Sequence, residues 1–360
     1  MSAKIIVSLD KISNPHCGLG RVSLDYSRAL INLEEKNIDL TFLLYGGSRP
    51  SYIQKHNTRR LFFFNRYYPL HLNECDIFHA LHQLTSFKVK GAYKMVLTLH
   101  DLNFLHVKNR RKANKYMKKV RKNVDRADAL VFVSRFTRDE SYRHLNIAPG
   151  KTTTVIYNGV DLPKVKPVKP DFLKADLFLF SIGQFLSKKN FHILIPFIKT
   201  LPDEIQLVIA GENNTSYGNY VRKSISVHNL QKRVILPGAV SEAEKLYLYQ
   251  HCTAFLFPSL AEGFGLPIVE AMRAGKPVFC SDKTSLKEIG DRHVHYWESF
   301  DAESMSKVYI SGMKSFNELK KNAAYDYSLK FTWQENAKAY VSLYKSLLPG
   351  YEEDNCLLPR

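Results

Sequence analysis

The sequence predicts an α/β protein built of two Rossmann-like, doubly wound domains. Three observations carry that expectation. The chain has 360 residues, above the size at which a single hydrophobic core stops growing. Short apolar or β-branched runs alternate with helix-length segments, the pattern of a parallel sheet covered by helices. The alternation occurs twice, on either side of the connector DLPKVKPVKP at 161–170, whose three prolines forbid a long helix and favour an extended, semi-rigid segment.

In the first half the expected strands are 5–9, 40–44, 77–79, 94–99 and 129–133. In the second they are 177–182, 205–210, 233–236, 254–257 and 277–280. The domains are therefore drawn as 1–160 and 161–330. Beyond them, Trp333, Ala337, Tyr340, Leu343 and Tyr344 recur at helical spacing, so a final amphipathic helix over 331–348 is expected to pack across the domain junction. The tail 349–360 shows no periodicity and is expected to fray.

Composition narrows the class. An apolar fraction of 45% with 24% charged residues is ordinary for a folded globular protein. The five cysteines are scattered without any CxxC spacing, which argues against a disulfide framework and a structural zinc site and fits a reducing cytoplasm. The opening MSAKIIVSLD is too short and too charged for a signal peptide. No run approaches the 18 or so apolar residues that span a membrane.

Charge is unevenly placed. Residues 1–160 hold 27 Lys and Arg against 12 Asp and Glu, whereas 161–360 hold 25 against 22. Ten of the nineteen residues of 108–126 are Lys or Arg, a density suited to nucleic acid, anionic lipid or an acidic substrate. A solvated helix face explains it equally well.

The most specific segment is FPSLAEGFGLPIVEAM at 257–272, a strand end, a glycine-bearing loop and a helix opening at Leu266-Pro267, where proline suits the first turn. A strand–loop–helix of this kind presents free backbone N–H groups and the positive end of a helix dipole to an anion. Gly263 and Gly265 let the backbone approach a phosphate closely. Glu262 and Glu270 bracket the loop with seven residues between them. Glu270, placed in the first helical turn, suits ribose hydroxyls, and Glu262 suits hydroxyls of a sugar beyond the diphosphate. The alternatives are a surface glutamate and one that compensates the helix dipole.

This segment resembles the E-x7-E signature of the family 4 retaining glycosyltransferases, which share the two-domain GT-B architecture. Further matches run in order along the chain: Gly18-Leu19-Gly20-Arg21 to the family's glycine-bearing first loop, Thr98-Leu99-His100-Asp101 to its His-Asp strand end, and 133–137 to its V-S-x-F-[ST] segment. YNGVD at 157–161, SIGQFLSKKN at 181–190, and Ser281-Asp282 with 286–290 complete the series.

The resemblance implies a first domain that binds the acceptor, a second that binds the nucleotide-sugar donor, and catalysis by Glu262, His100 and Lys189. Lys189 is the cation that would stabilise charge building on the leaving diphosphate, assisted by Lys188. The donor set implied is Gly18, Gly20, Gln184, Lys188, Lys189, Gly263, Phe264, Gly265, Leu266 and Glu270. Gln184 stands where the family often has Arg, so one positive contact is missing or supplied elsewhere. His100, at a strand's carboxyl end, would contact the donor sugar, although a lone His also serves as a capped structural residue. Asp101 would orient the acceptor or cap the next helix.

No protein nucleophile is implied. The absence of Asp-x-Asp and of metal-ligand spacing leads to the expectation of no cofactor and no metal. The partners implied are a nucleotide sugar, GDP-mannose or a UDP-hexose, and a glycan or glycolipid acceptor in lipopolysaccharide or polysaccharide synthesis. Lys115, Lys118, Lys119 and Lys122 would dock the protein on the anionic inner face of the cytoplasmic membrane or on a phosphorylated glycolipid acceptor.

Three rival readings fit the sequence less well. A dehydrogenase should carry G-x-G-x-x-G, but Gly18-Leu19-Gly20 is followed by Leu24-Asp25, which breaks the pattern. Nucleic-acid binding lacks interleaved aromatics in the basic segment, where only Tyr116 occurs, and no nucleic-acid partner is expected. A catalytically silent sugar-nucleotide-binding homologue would not need Glu262, Glu270, Lys189 and His100 together.

Overall fold

The computed structural model describes residues 2–13, 18–45 and 50–349. The chain divides into two compact units. One comprises the residues up to Gly159 together with those from Thr332, and the other is Val160–Phe331.

The first unit contains β1 (Ala3–Leu9), β2 (Ile38–Tyr45), β3 (Asn57–Leu61), β4 (Leu70–Ala80), β5 (Val89–Leu99), β6 (Ala129–Phe132) and β7 (Thr152–Val155). They pair in parallel in the order β3-β2-β1-β4-β5-β6-β7. The second unit contains β8 (Phe178–Ile182), β9 (Gln206–Ala210), β10 (Val234–Gly238), β11 (Ala254–Phe257), β12 (Val278–Ser281) and β13 (His295–Trp297), in the order β10-β9-β8-β11-β12-β13 and again parallel. Each sheet grows first to one side and then to the other. The order reverses between β1 and β4 and between β8 and β11, and open α/β sheets bind ligands beyond the carboxyl ends of the strands at such switch points.

The inner strands β6 and β11 are apolar along their whole length because both of their faces are covered. Every residue of β6 and of β11 is buried. The strands absent from the sequence expectation, β3, β7 and β13, are all edge strands. Their sequences NTRRL, TTTV and HYW carry no apolar run, since an edge packs less of its surface into the core. β4 and β5 extend toward their amino ends well beyond the expected 77–79 and 94–99. The connector 161–170 forms neither helix nor strand.

The final helix, Trp333–Ser346, is capped by Thr332, whose side chain accepts from the Glu335 N–H. Although the sequence expectation laid it across the junction, its polar anchors lie in the first unit. The Tyr344 hydroxyl meets His79 Nδ1 and the Tyr26 hydroxyl, both at 2.6 Å, and the Tyr340 hydroxyl meets Thr98 Oγ1 at 2.8 Å. Thr98 Oγ1 in turn reaches His79 Nε2 at 2.8 Å. Burial pushes the His79 pKa down to about 3, so a neutral imidazole joins β4, β5, the helix Gly18–Asn32 and the final helix in one satisfied network. Gly159 fixes the return of the chain, because a Cβ there would stand 2.3 Å from the Trp333 backbone nitrogen. The segment 350–360, most of the expected tail, lies outside the described residues.

Candidate active site

Two loops meet at the switch point of the second unit. The segment after β8 ends in a single turn, Ser187–Lys189, followed by Asn190 in the left-handed conformation at φ 57°. The segment after β11 runs into the helix Leu266–Arg273. Backbone and side chain stitch them together: the Leu260 N–H donates to the Lys188 carbonyl at 2.7 Å, and Ser259 Oγ reaches the same carbonyl at 3.2 Å.

This brings Lys189 and Glu262 into an ion pair, Nζ to Oε1, at 2.6 Å, with 12% of each side chain exposed. Ser259 Oγ donates to the same carboxylate oxygen at 2.5 Å. The Glu262 N–H donates to Thr284 Oγ1 at 3.0 Å, and its carbonyl accepts from Ser285 Oγ at 3.0 Å. Burial alone would raise the Glu262 pKa, but Lys189, then Lys188, hold its carboxyl at about 2. Burial lowers the Lys189 pKa, and the carboxylate opposes that shift.

The Lys189 ammonium also lies 4.7 Å from the centre of the Phe257 ring. A Cβ on Gly183 would come within 3.1 Å of Lys189 Cε, and one on Gly211 would come within 2.0 Å of the Gly183 carbonyl oxygen. Bare backbone at the ends of β8 and β9 is therefore what leaves room for the lysine stem. An ammonium has three donors, so the pair with Glu262 leaves two for an incoming diphosphate. Both contacts to the carboxylate fall on Oε1, and Oε2 is taken by neither.

Gly265 caps the helix Leu266–Arg273 at φ +103°, and a Cβ there would stand 2.6 Å from Leu286 Cδ2. Gly263 is buried and Leu266 half-buried at the head of that helix. Phe264 is not a donor contact through its ring: the side chain is buried edge-on against Phe331 at 5.5 Å, and its carbonyl accepts from Ser285 Oγ at 3.1 Å. Gln184 is exposed.

Glu270 is the fifth residue of the helix and not a first-turn residue. Its Oε2 accepts from the Tyr249 hydroxyl at 2.7 Å and its Oε1 from Lys245 Nζ at 3.3 Å. Ser259, Thr284, Ser285, Lys245 and Tyr249 were missed in the sequence. Lys245 and Tyr249 stand four residues apart on the helix Glu242–His251, a spacing that gives one helix face but does not name its partner.

The remaining expected residues belong to the first unit. His100 is buried, its Nε2 facing the Leu81 carbonyl at 2.8 Å. A carbonyl only accepts, so Nε2 carries the proton and Nδ1 is the acceptor. Burial lowers the His100 pKa against the Leu81 carbonyl and Asp101, which keeps the ring neutral. Asp101 Oδ1 accepts from the Asn103 N–H at 3.1 Å, closing a local turn ahead of the helix Phe104–Val107, whose cap residue Asn103 makes no side-chain capping bond. Gly18 and Gly20 lie in the first turn of the helix Gly18–Asn32 rather than in a loop. Residues 14–17, just before this helix, lie outside the described residues.

The basic segment forms the helix Arg110–Arg126, capped by Asn109. Lys115, Lys118 and Lys122 are exposed on it. Lys119 departs from the expectation, for it turns inward and its Nζ donates to Ser86 Oγ at 2.5 Å. Among the described residues no group of three or more His, Cys, Asp or Glu side chains is arranged to hold a metal ion, and no helix is long and apolar enough to cross a membrane.

Comparison with known proteins places this geometry. Residues 21–164 match the family model described as Glycosyltransferase Family 4, and residues 165–321 match the one described as Glycosyl transferases group 1. The chain belongs to the family 4 glycosyltransferases. This glycosyltransferase is 26% identical over 387 residues to the O-antigen chain mannosyltransferase B of Escherichia coli, covering 96% of its own length and 100% of the relative's. It is 28% identical over 284 residues to the serotype-specific mannosyltransferase WbdA of E. coli, covering 72% of itself and 34% of that protein. The chain thus spans about a third of the length of WbdA. Its fold is that of Anabaena HepE solved with UDP and glucose, with a TM-score of 0.70 at 17% identity over 96% of this chain and 100% of the other. Both are GT-B proteins.

Proposed function

We propose that this glycosyltransferase moves a hexose, from GDP-mannose or a UDP-hexose, to a glycan or glycolipid acceptor in lipopolysaccharide or polysaccharide assembly, with retention at the anomeric carbon. One observation carries the reading: the Lys189–Glu262 pair at the second switch point, beside the amino end of the helix Leu266–Arg273. Helix N–H groups and the two free ammonium protons would take the diphosphate, and Lys188 would supply the net positive charge left after Lys189 and Glu262 neutralise each other. Charge developing on the leaving phosphate meets donors already in place. Glu262 Oε2 would accept from a sugar hydroxyl, and Glu270, held by Tyr249 and Lys245, from the ribose. His100 Nδ1, an acceptor on a neutral ring, suits a hydroxyl of the sugar. The departing phosphate takes the acceptor's proton, so no protein nucleophile is required. Mannosyl transfer is favoured by the names of the two E. coli relatives, and UDP by that of HepE.

Thermal unfolding with a panel of nucleotide sugars tests this. GDP-mannose or a UDP-hexose is expected to raise Tm and to be slowly hydrolysed, with both effects persisting in excess EDTA. No shift with any donor removes the reading. A rate restored only by magnesium or manganese removes its metal-free part.

We also place the first unit on an anionic membrane surface. The exposed lysines Lys115, Lys118 and Lys122 support this. So do Phe62, Phe63, Phe64, Tyr67 and Tyr68, each more than half exposed, since aromatic side chains favour the membrane interface. Each Lys near an anionic leaflet contributes about 1 kcal/mol. Changing the three lysines to Gln should therefore weaken co-sedimentation with anionic liposomes by about a hundredfold, and salt should release the wild type. Equal binding to neutral and anionic vesicles leaves a merely solvated helix face.

A further inference from the structure

The switch point of the first unit carries a set of charges that donor binding does not use. Asp10 and Lys11 follow β1, and His82 and Ser86 follow β4. Arg66 closes the turn Phe63–Arg66 before β4, and Lys119 reaches in from the helix Arg110–Arg126. Lys119 Nζ donates to Ser86 Oγ at 2.5 Å. The Arg66 guanidinium lies 5.7 Å from the ring centre of Phe87, the residue after Ser86, and 5.0 and 5.3 Å from those of Phe63 and Tyr45.

Lys11, Lys119 and Arg66 all act electrostatically on Asp10, and Lys11 and Arg66 act on Lys119. Lys11 and Lys119 extend their field to His82, whose ring stacks on His100 at 6.2 Å. Three cations therefore converge on one carboxylate, leaving an excess of two positive charges. Burial, and then Lys11, lower the Lys119 pKa, so this charge opposes its own assembly. Among the described residues Arg66 Nε is buried without a hydrogen-bond partner, although a guanidinium is shaped to hold two oxygens of one phosphate. Both features are relieved by a dianion. A phosphomonoester carries nearly two negative charges at neutral pH, and a diphosphate diester carries about as many.

We propose that Lys11, Arg66 and Lys119 form a subsite for a phosphate or diphosphate group carried by the sugar acceptor, beside His82 and His100. This rests on the glycosyl-transfer reading. The site differs from the exposed lysines of the same helix, because Lys11 and Lys119 are half-buried, so that a single anionic group reaches them where a flat lipid surface does not.

Isothermal titration at low salt with inorganic pyrophosphate and with hexose 6-phosphate tests it, using wild type, Lys189→Gln, Lys11→Gln and Lys11→Gln/Arg66→Gln. Wild type is expected to bind pyrophosphate at two places. Lys189→Gln should keep the site described here, and the double variant should lose it, with about a tenfold loss of affinity for each cation removed. Lys11 is half-exposed, so its single variant reports even where the double variant folds poorly. Binding by both Lys11 variants indistinguishable from wild type overturns the proposal, as does a single wild-type site that Lys189→Gln abolishes. Preference for pyrophosphate over hexose 6-phosphate assigns a diphosphate acceptor, and equal affinity assigns a phosphomonoester; both support the subsite. UDP and GDP titrated alongside separate the two readings, because failure of both nucleotides to bind wild type removes glycosyl transfer whatever pyrophosphate does.

Discussion

Replacing Lys189 or Glu262 by Gln is expected to lower the rate of sugar transfer by about a hundredfold in each case. Loss of one preorganised group that stabilises developing charge raises a barrier by about 3 kcal/mol. The geometry adds a sharper expectation. The two side chains are joined at 2.6 Å, so each positions the other. Glu262→Gln releases the ammonium from its fixed place, and Lys189→Gln leaves the carboxylate with Ser259 alone among its two Oε1 donors. The double variant should therefore be little slower than the worse single one, as happens when residues act as a unit. Steady-state rates for the four proteins, with the donor identified by the thermal screen, decide it. Unchanged transfer in either purified single variant takes that residue out of the mechanism, and fully additive losses show that the pair does not act as one.

The second large effect is on stability and its pH dependence. In the folded chain the Glu262 carboxyl lies at about 2 against an ordinary value of 4.5. A folded value below the unfolded one contributes stability that is fully present above about pH 5 and lost as pH falls toward 2. That depression corresponds to about 3 kcal/mol, and burial of the Lys189 ammonium offsets part of it. Lys189→Met leaves a carboxylate buried without its cation, which commonly costs about 3 kcal/mol. The variant should be less stable than wild type at pH 7, with the gap closing between pH 5 and pH 2 as Glu262 becomes protonated in both. Each unit holds one of the two tryptophans, Trp333 in the first and Trp297 in the second. Urea unfolding followed by Trp297 fluorescence in a Trp333→Phe background therefore reports the second unit alone. A gap that is constant with pH, or absent at pH 7, contradicts the linkage.

The apolar runs and the glycine-bearing loops between Gly18 and Gly290 were enough, by themselves, to give two parallel-sheet halves, ten of the strands and the family. Buried parallel strands must be apolar on both faces, so they announce themselves locally. The edge strands β3, β7 and β13 do not, because an edge leaves polar side chains in water. Only the tertiary structure decided the strand order, and with it the two switch points where distant loops meet. It joined Lys189 to Glu262 across 73 positions, gave Glu270 to Tyr249 and Lys245, and anchored the final helix on His79, Thr98 and Tyr26. It also turned Lys119 away from its exposed neighbours, since on a helix a difference of one position is a turn of about 100° and the composition of a basic run does not say which lysine faces inward. Contacts between residues far apart in the chain leave no local pattern, which is why the same sequence that declares its family does not declare which charges meet at its sites.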